Sequence, residues 1–304
     1  MAQTGMKGRW DNMPKYQCYW KECTRIRSEF SLFLNRRRPP KFENRVFCSD
    51  DCLYSYFNNE LTDKWHRLHA KRERKIPRPK IGTILMQTAF VTRQQLDEAV
   101  RMQTKMQEGR LGEWLLRLGF VDEHQVTAAL AKQYGLPVIN LKNPDANSDA
   151  VRMIPGKVAK RSGLFPVGFD DDQSHLRVAV CGPVDFQFQE AIRRMVRKGI
   201  APYIGDQSAI QQLWERYYEP EELDLSNIPT YNSLEELLEV GRDVVDSAIE
   251  NRAQDIRAEL LRDFFWMRID YPEEAHHHFF QYDATVAPRH LSVHREADKY
   301  NYAV

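Results

Sequence analysis

Laying Lys80–Gln103 over Arg110–Gln133 exposes an internal repeat, and a repeat restricts the fold more than any other feature of this chain. Seven of the 24 aligned positions are identical: Gly82/Gly112, Leu85/Leu115, Phe90/Phe120, Val91/Val121, Gln95/Gln125, Ala99/Ala129 and Gln103/Gln133. Lys80/Arg110, Ile81/Leu111 and Val100/Leu130 are similar pairs. Each copy reads as a short helix, a tight stop and a second helix. In the second copy Gly119 suits the left-handed residue that closes a helix, and Asp122 with Gln125 has capping-box spacing. The first copy keeps the cap as Thr92 with Gln95 but has Ala89 in place of the glycine. That substitution costs about 1 kcal/mol if the residue takes positive φ.

Helix breakers divide the rest. Ile76-Pro77-Arg78-Pro79 ends any helix arriving from Lys64–Lys75, and Glu219-Pro220-Glu221-Glu222 makes a second, polar break. Three segments are expected: a basic module over 1–75, the repeat-bearing segment over 76–220, and an acidic α/β segment over 221–304. Leu164–Phe169 and His175–Val180 are apolar, β-rich runs around Asp170-Asp171-Asp172-Gln173-Ser174, the pattern of a hairpin. Phe186–Lys198 reads as helix, Ala201–Ile204 as strand and Gln207–Tyr217 as amphipathic helix. The Pro, His and Tyr mixture of Tyr271–Val304 predicts partial disorder. Within it, His276-His277-His278 would alternate between the faces of a strand, which favours exposed polar side chains over a metal site.

No run approaches the roughly 18–20 apolar residues of a membrane span, and Met1-Ala2-Gln3-Thr4 opens no signal-peptide core. A cytoplasmic protein without membrane insertion is expected. The net charge of +1 conceals an asymmetry: residues 1–80 carry 19 Lys and Arg against 9 Asp and Glu, so the head is net +10 and the remainder net −9. A basic head can be drawn to phosphates of nucleic acid or of a nucleotide, can dock on an acidic protein, or can equally be a solvated surface.

Cys18-x-x-x-x-Cys23 and Cys48-x-x-x-Cys52 supply four soft ligands, the number a structural tetrahedral zinc requires. In a cytosolic chain such pairing favours metal over disulfides, the alternative being four reduced, unliganded thiols, since the spacings depart from the commoner two-residue gap. Phe47-Cys48-Ser49-Asp50-Asp51-Cys52-Leu53-Tyr54-Ser55-Tyr56-Phe57 resembles the helical half of MYM- and TRASH-like treble-clef fingers, with Ser49 placed to cap the helix. A segment with so few aliphatic residues would need metal to fold alone. Cys181 stands apart and reads as a packed side chain.

The stretch Arg110-Leu111-Gly112-x-x-Leu115-Leu116-x-x-Gly119-Phe120-Val121, followed by Val126, Leu130 and Gln133, resembles the tandem motif of MshEN-type domains, found at the N-terminus of type II secretion and type IV pilus ATPases. Tyr134-Gly135-Leu136-Pro137-Val138, Ile154-Pro155, Val178-Ala179-Val180, Asp185 and Ile210–Tyr218 agree with that family in order. The resemblance implies cyclic di-GMP held by Lys80, Ile81, Gly82, Leu85 and Gln103 of the first motif and by Arg110, Leu111, Gly112, Leu115 and Gln133 of the second. In that picture the cations meet phosphate or a guanine edge, helix-start amides favour the anion, the leucines cover purine or ribose, and the glutamines hydrogen-bond the base. The alternative is that the leucines and phenylalanines only pack the hairpins together. Lys80, Ile81 and Ala89 depart from the motif, and Lys lacks the bidentate fork of Arg. The fold class is α+β: tandem helical-hairpin repeats, a small α/β subdomain and an N-terminal treble-clef-like zinc module.

Val244-Val245 through Glu259, then Met267-Arg268-Ile269-Asp270, resembles the helix-then-strand passage that precedes the nucleotide site of those ATPases. No Gly-x-x-x-x-Gly-Lys-Ser/Thr occurs, and Pro155-Gly156-Lys157-Val158 lacks both the upstream glycine and the hydroxyl. No enzyme activity is expected, since an ATPase core would not fit in the remaining chain. Three readings follow: a cyclic di-GMP receptor or adaptor tied to a secretion, pilus or motility system; a ligand-free docking module for such a system; and a zinc-dependent nucleic-acid regulator using Arg36-Arg37-Arg38 and Lys71-Arg72-Glu73-Arg74-Lys75.

Overall fold

A computed structural model describes residues 15–28, 41–69, 78–142, 146–182, 186–261 and 264–282. Arg36–Arg38, Lys71–Lys75 and Asp185 lie outside the described residues. The contacts define two compact units, one from residues within 1–72 and 229–304 and the other from residues within 73–228.

The chain enters the first unit through the antiparallel strands β1 (Lys15–Gln17) and β2 (Ile26–Ser28), then β3 (Lys41–Phe42) and helix α1 (Asp50–His69). Asp50 and Asp51 in the first turn of α1, and His66, Arg67 and His69 in its last, complement the helix dipole.

The second unit begins with the repeat, as α2 (Ile81–Gln87), α3 (Arg93–Met106), α4 (Leu111–Arg117) and α5 (Glu123–Tyr134). Both capping boxes form: Gln95 N donates to Thr92 Oγ1 at 3.3 Å, and Gln125 N to Asp122 Oδ1 at 2.8 Å. Both stops share one geometry, with Phe90 N reaching Leu85 O at 2.9 Å and Phe120 N reaching Leu115 O at 3.0 Å. Ala89 takes φ 56° and Gly119 φ 70°, so the first copy does carry a strained residue.

There follow α6 (Ser148–Met153), α7 (Gly156–Ser162), β4 (Leu164–Phe169), β5 (His175–Val180), α8 (Phe186–Val196), β6 (Gly199–Ile204), α9 (Gln207–Tyr217) and α10 (Pro220–Leu223). The sheet order is β4-β5-β6, an antiparallel hairpin joined through α8 to a parallel third strand. Lys157 Nζ donates to the carbonyls of Glu221 and Asp224, both at 2.8 Å. In the nearest imitation of a phosphate loop, the lysine thus ties down the end of the unit.

On returning to the first unit the chain forms β7 (Thr230–Tyr231), α11 (Leu234–Glu250), β8 (Asp255–Leu261), β9 (Phe264–Asp270) and β10 (Ala275–Tyr282). The sheet runs β3-β8-β9-β10-β7, an antiparallel meander with a short parallel strand at each edge. One core joins Phe57, Leu61 and Trp65 of α1 with Leu237, Val245 and Ala248 of α11 and Ile256, Phe265 and Met267 of the sheet.

Two expectations are corrected here. The segments 1–75 and 221–304 are not separate: β3 pairs with β8, Lys41 opposite Asp255, and buried residues of both segments form one core. Residues 275–282 are not disordered but form a strand of the meander, whose partner supplies the order that composition does not report. Residues 283–304 lie outside the described residues. The architecture is α+β, and no described helix is long and apolar enough to cross a membrane.

Candidate ligand and metal sites

The identities of the repeat resolve into packing and hydrogen bonding. Leu85/Leu115, Val91/Val121 and Ala99/Ala129 are buried together in one core, with Phe90 and Phe120 packed against it. Gln95 and Gln125 complete the caps. A methyl group at Gly82 would stand 2.8 Å from Leu96 Cδ1 and 3.4 Å from Leu111 Cδ2, and one at Gly112 would stand 3.2 Å from Val126 Cγ1 and 3.9 Å from Ile81 Cδ1. These glycines let the helices of the repeat approach one another. The glutamines cross between copies: Gln103 Nε2 donates to Gly109 O at 3.0 Å, and Gln133 Nε2 donates to Pro79 O at 2.7 Å. Each copy thereby grips the residue just before the cation of the other copy.

Lys80 and Arg110 occupy equivalent exposed positions, the N-caps of α2 and α4. Ile81 and Leu111 follow, half-buried, each beside the other copy's glycine. The two cation-bearing turns are therefore related by an approximate twofold. Of the ten candidate ligand residues, Leu85 and Leu115 are fully buried and Gly82 and Gly112 are enclosed by side chains, while Lys80 and Arg110 are exposed.

A clasp that the sequence did not reveal joins the repeat to the α/β subdomain. Ser208 N and Oγ donate to the Glu123 carboxylate at 2.7 and 2.5 Å, and Thr127 Oγ1 donates to Asp206 Oδ1 at 2.5 Å. His124 Nδ1 lies 3.1 Å from Asp206 Oδ2. The only signal along the chain was an acidic residue at the start of each of two helices, and nothing there paired them.

All four cysteines of the N-terminal pairs converge, their Sγ atoms within 4.8 Å of one another. Cys48 Sγ is 3.5 Å from Cys23 Sγ and 3.6 Å from Cys52 Sγ. Tetrahedral zinc with bonds of about 2.3 Å places its sulfurs about 3.8 Å apart, so the donor set fits that ion. Ser49 Oγ accepts from Cys52 N at 3.4 Å, as the cap expectation required. Burial pushes the Cys52 thiol up to about 12. Asp170, Asp172 and His175 also cluster, but at an exposed turn where the backbone N–H of His175 holds Asp170 down at about 2.

The triple histidine needs correction in part. His276 is exposed, whereas His277 accepts a hydrogen bond from Trp266 Nε1 at 3.0 Å. Burial, reinforced by Arg268, pushes His277 down to about 3. The alternation argument was right about faces, but the second face of this strand is covered too. Lys64 is buried beside Glu259, Glu43 and Glu60, at 3.0, 2.7 and 3.5 Å. Burial opposes its charge, and the three carboxylates more than offset that, raising its pKa.

The MshEN domain family model matches residues 134–223. Type IV pilus assembly ATPase PilB of Myxococcus xanthus is 30% identical over 139 residues, 46% of this chain and 24% of that protein. Its namesake from Thermus thermophilus is 22% identical over 139 residues and 16% of its length. This chain thus spans a quarter or less of either relative. The solved structure of MshE with cdg is 32% identical, covering 46% of this chain and all of that one, with a TM-score of 0.41. Alignments of 139 residues exceed the model-matched segment and so extend beyond it. The chain carries an MshEN domain of the type II secretion and type IV pilus ATPase kind.

Proposed function

We propose that this is a non-catalytic regulatory or adaptor protein that binds cyclic di-GMP across the tandem repeat and serves a secretion, pilus or motility system through a protein partner. The observation that carries the reading is the approximate twofold relating Lys80-Ile81-Gly82 to Arg110-Leu111-Gly112, reinforced by the crossed bonds of Gln103 and Gln133. Cyclic di-GMP is itself twofold, with two phosphates and two guanines, so each half meets one cation and one aliphatic side chain. Gly82, Gly112, Leu85 and Leu115 set the spacing of these groups from beneath. Gln103 and Gln133 keep the opposite cation-bearing turn in place. The second half-site is the stronger, because guanidinium makes two hydrogen bonds where ammonium makes a point contact. Zinc at Cys18, Cys23, Cys48 and Cys52 is structural, tying residues 18–23 to the start of α1.

Titration calorimetry with cyclic di-GMP, with GTP as control and after measurement of zinc content, tests the reading. Saturable binding is expected, weakened about ten- to a hundredfold in Arg110→Ala, the loss of a charge-assisted hydrogen bond, and less in Lys80→Ala. No heat at high micromolar ligand would leave the ligand-free docking module as the better account.

A further inference from the structure

Arg110 begins α4, but its guanidinium extends to the residues that follow β5, where Gly182 sits. A methyl group at position 182 would stand 2.8 Å from Arg110 Nη1 and 3.9 Å from its Cζ. Among the described residues, apart from the two chain neighbours, no other atom would lie within 4 Å. Gly182 is not at positive φ, so a left-handed backbone is not what calls for glycine there. What its missing side chain provides is therefore room for the guanidinium. No glycine among the described residues stands in this relation to Lys80.

The wall behind Arg110 is held firmly. Cys181 N donates to Gly163 O at 3.1 Å, Gly205 N donates to Val180 O at 3.0 Å, and β5 is paired on both sides. A side chain at 182 would accordingly move the flexible end of the arginine rather than the backbone.

We propose that Gly182 is a positioning residue for cyclic di-GMP, contributed by the α/β subdomain, whose bare Cα lets the Arg110 guanidinium reach the pose in which it meets the ligand. The proposal rests on the reading of the repeat as the ligand site. It makes that site a composite of two parts of the unit.

The test uses the full chain and cyclic di-GMP in a double-mutant cycle of Gly182→Ala and Arg110→Ala. Gly182→Ala is expected to weaken binding about tenfold, one charge-assisted hydrogen bond degraded, with an unchanged denaturation midpoint. In the Arg110→Ala background the same change should have no further effect, since its whole action runs through that side chain. Without ligand, the arginine Nε–Hε NMR resonance that disappears in Arg110→Ala should shift in Gly182→Ala. Wild-type affinity in Gly182→Ala, additive losses in the cycle, or an unmoved resonance would each overturn the proposal while leaving the ligand reading standing. Absence of binding by the wild type would overturn the ligand reading, and the proposal with it.

Discussion

Ala89 and Gly119 occupy the same place in the two copies, and exchanging their residues isolates the energy of one backbone conformation. Both have positive φ, at 56° and 70°, and both end their helix with the same hydrogen bond from the following phenylalanine. A methyl group at Gly119 would meet nothing within 4 Å, so steric contact does not confound the comparison. Left-handed backbone costs a non-glycine residue about 1–2 kcal/mol. Glycine loosens the unfolded chain by about 0.4–1 kcal/mol. Ala89→Gly should therefore stabilise the second unit by about 0.5–1 kcal/mol and Gly119→Ala should destabilise it by as much. With a urea slope of about 2 kcal/mol/M, the midpoints move by about 0.25–0.5 M in opposite directions. Hydrogen exchange at Phe90 N and Phe120 N should move with them, reporting each stop separately. Equal shifts of one sign, or a neutral Ala89→Gly, would refute the strain argument.

Two further outcomes follow from the first unit. His277 is neutral when folded, with a pKa near 3 against 6.5 for the free side chain, so the unfolded state takes up the proton first and stability falls as pH drops through that window. At pH 5 the loss is about 2 kcal/mol, and His277→Gln, which keeps an acceptor for Trp266, should flatten the slope in denaturation at pH 7 and pH 5. Chelation of zinc, or Cys52→Ser, should speed hydrogen exchange at Cys18 N and Cys23 N while Leu53–Trp65 stay protected, because α1 is also held by α11 and the sheet; collapse of the whole first unit would contradict this.

Much of the local chemistry was legible before any coordinates. The caps at Thr92 and Asp122, the hairpin from Leu164 to Val180 and the two cysteine pairs, each taken alone, arise between residues close in sequence, where spacing carries the geometry; that the pairs converge across 25 residues is tertiary. The ligand residues were legible only as a motif. Burial then separates Leu85 and Leu115, inside the core, from Lys80 and Arg110, at the surface, a distinction that identity between the copies does not make.

The sequence by itself determined the repeat, its punctuation and the four thiols, because periodicity, capping and ligand spacing act over a few residues. Only the tertiary structure decided that β3 shares one sheet with β7–β10, that Gln103 and Gln133 cross between copies, that His277 serves Trp266 and that Gly182 lies under Arg110. Each depends on apolar faces finding one another across long stretches of chain, and the pattern of either partner alone does not name the other.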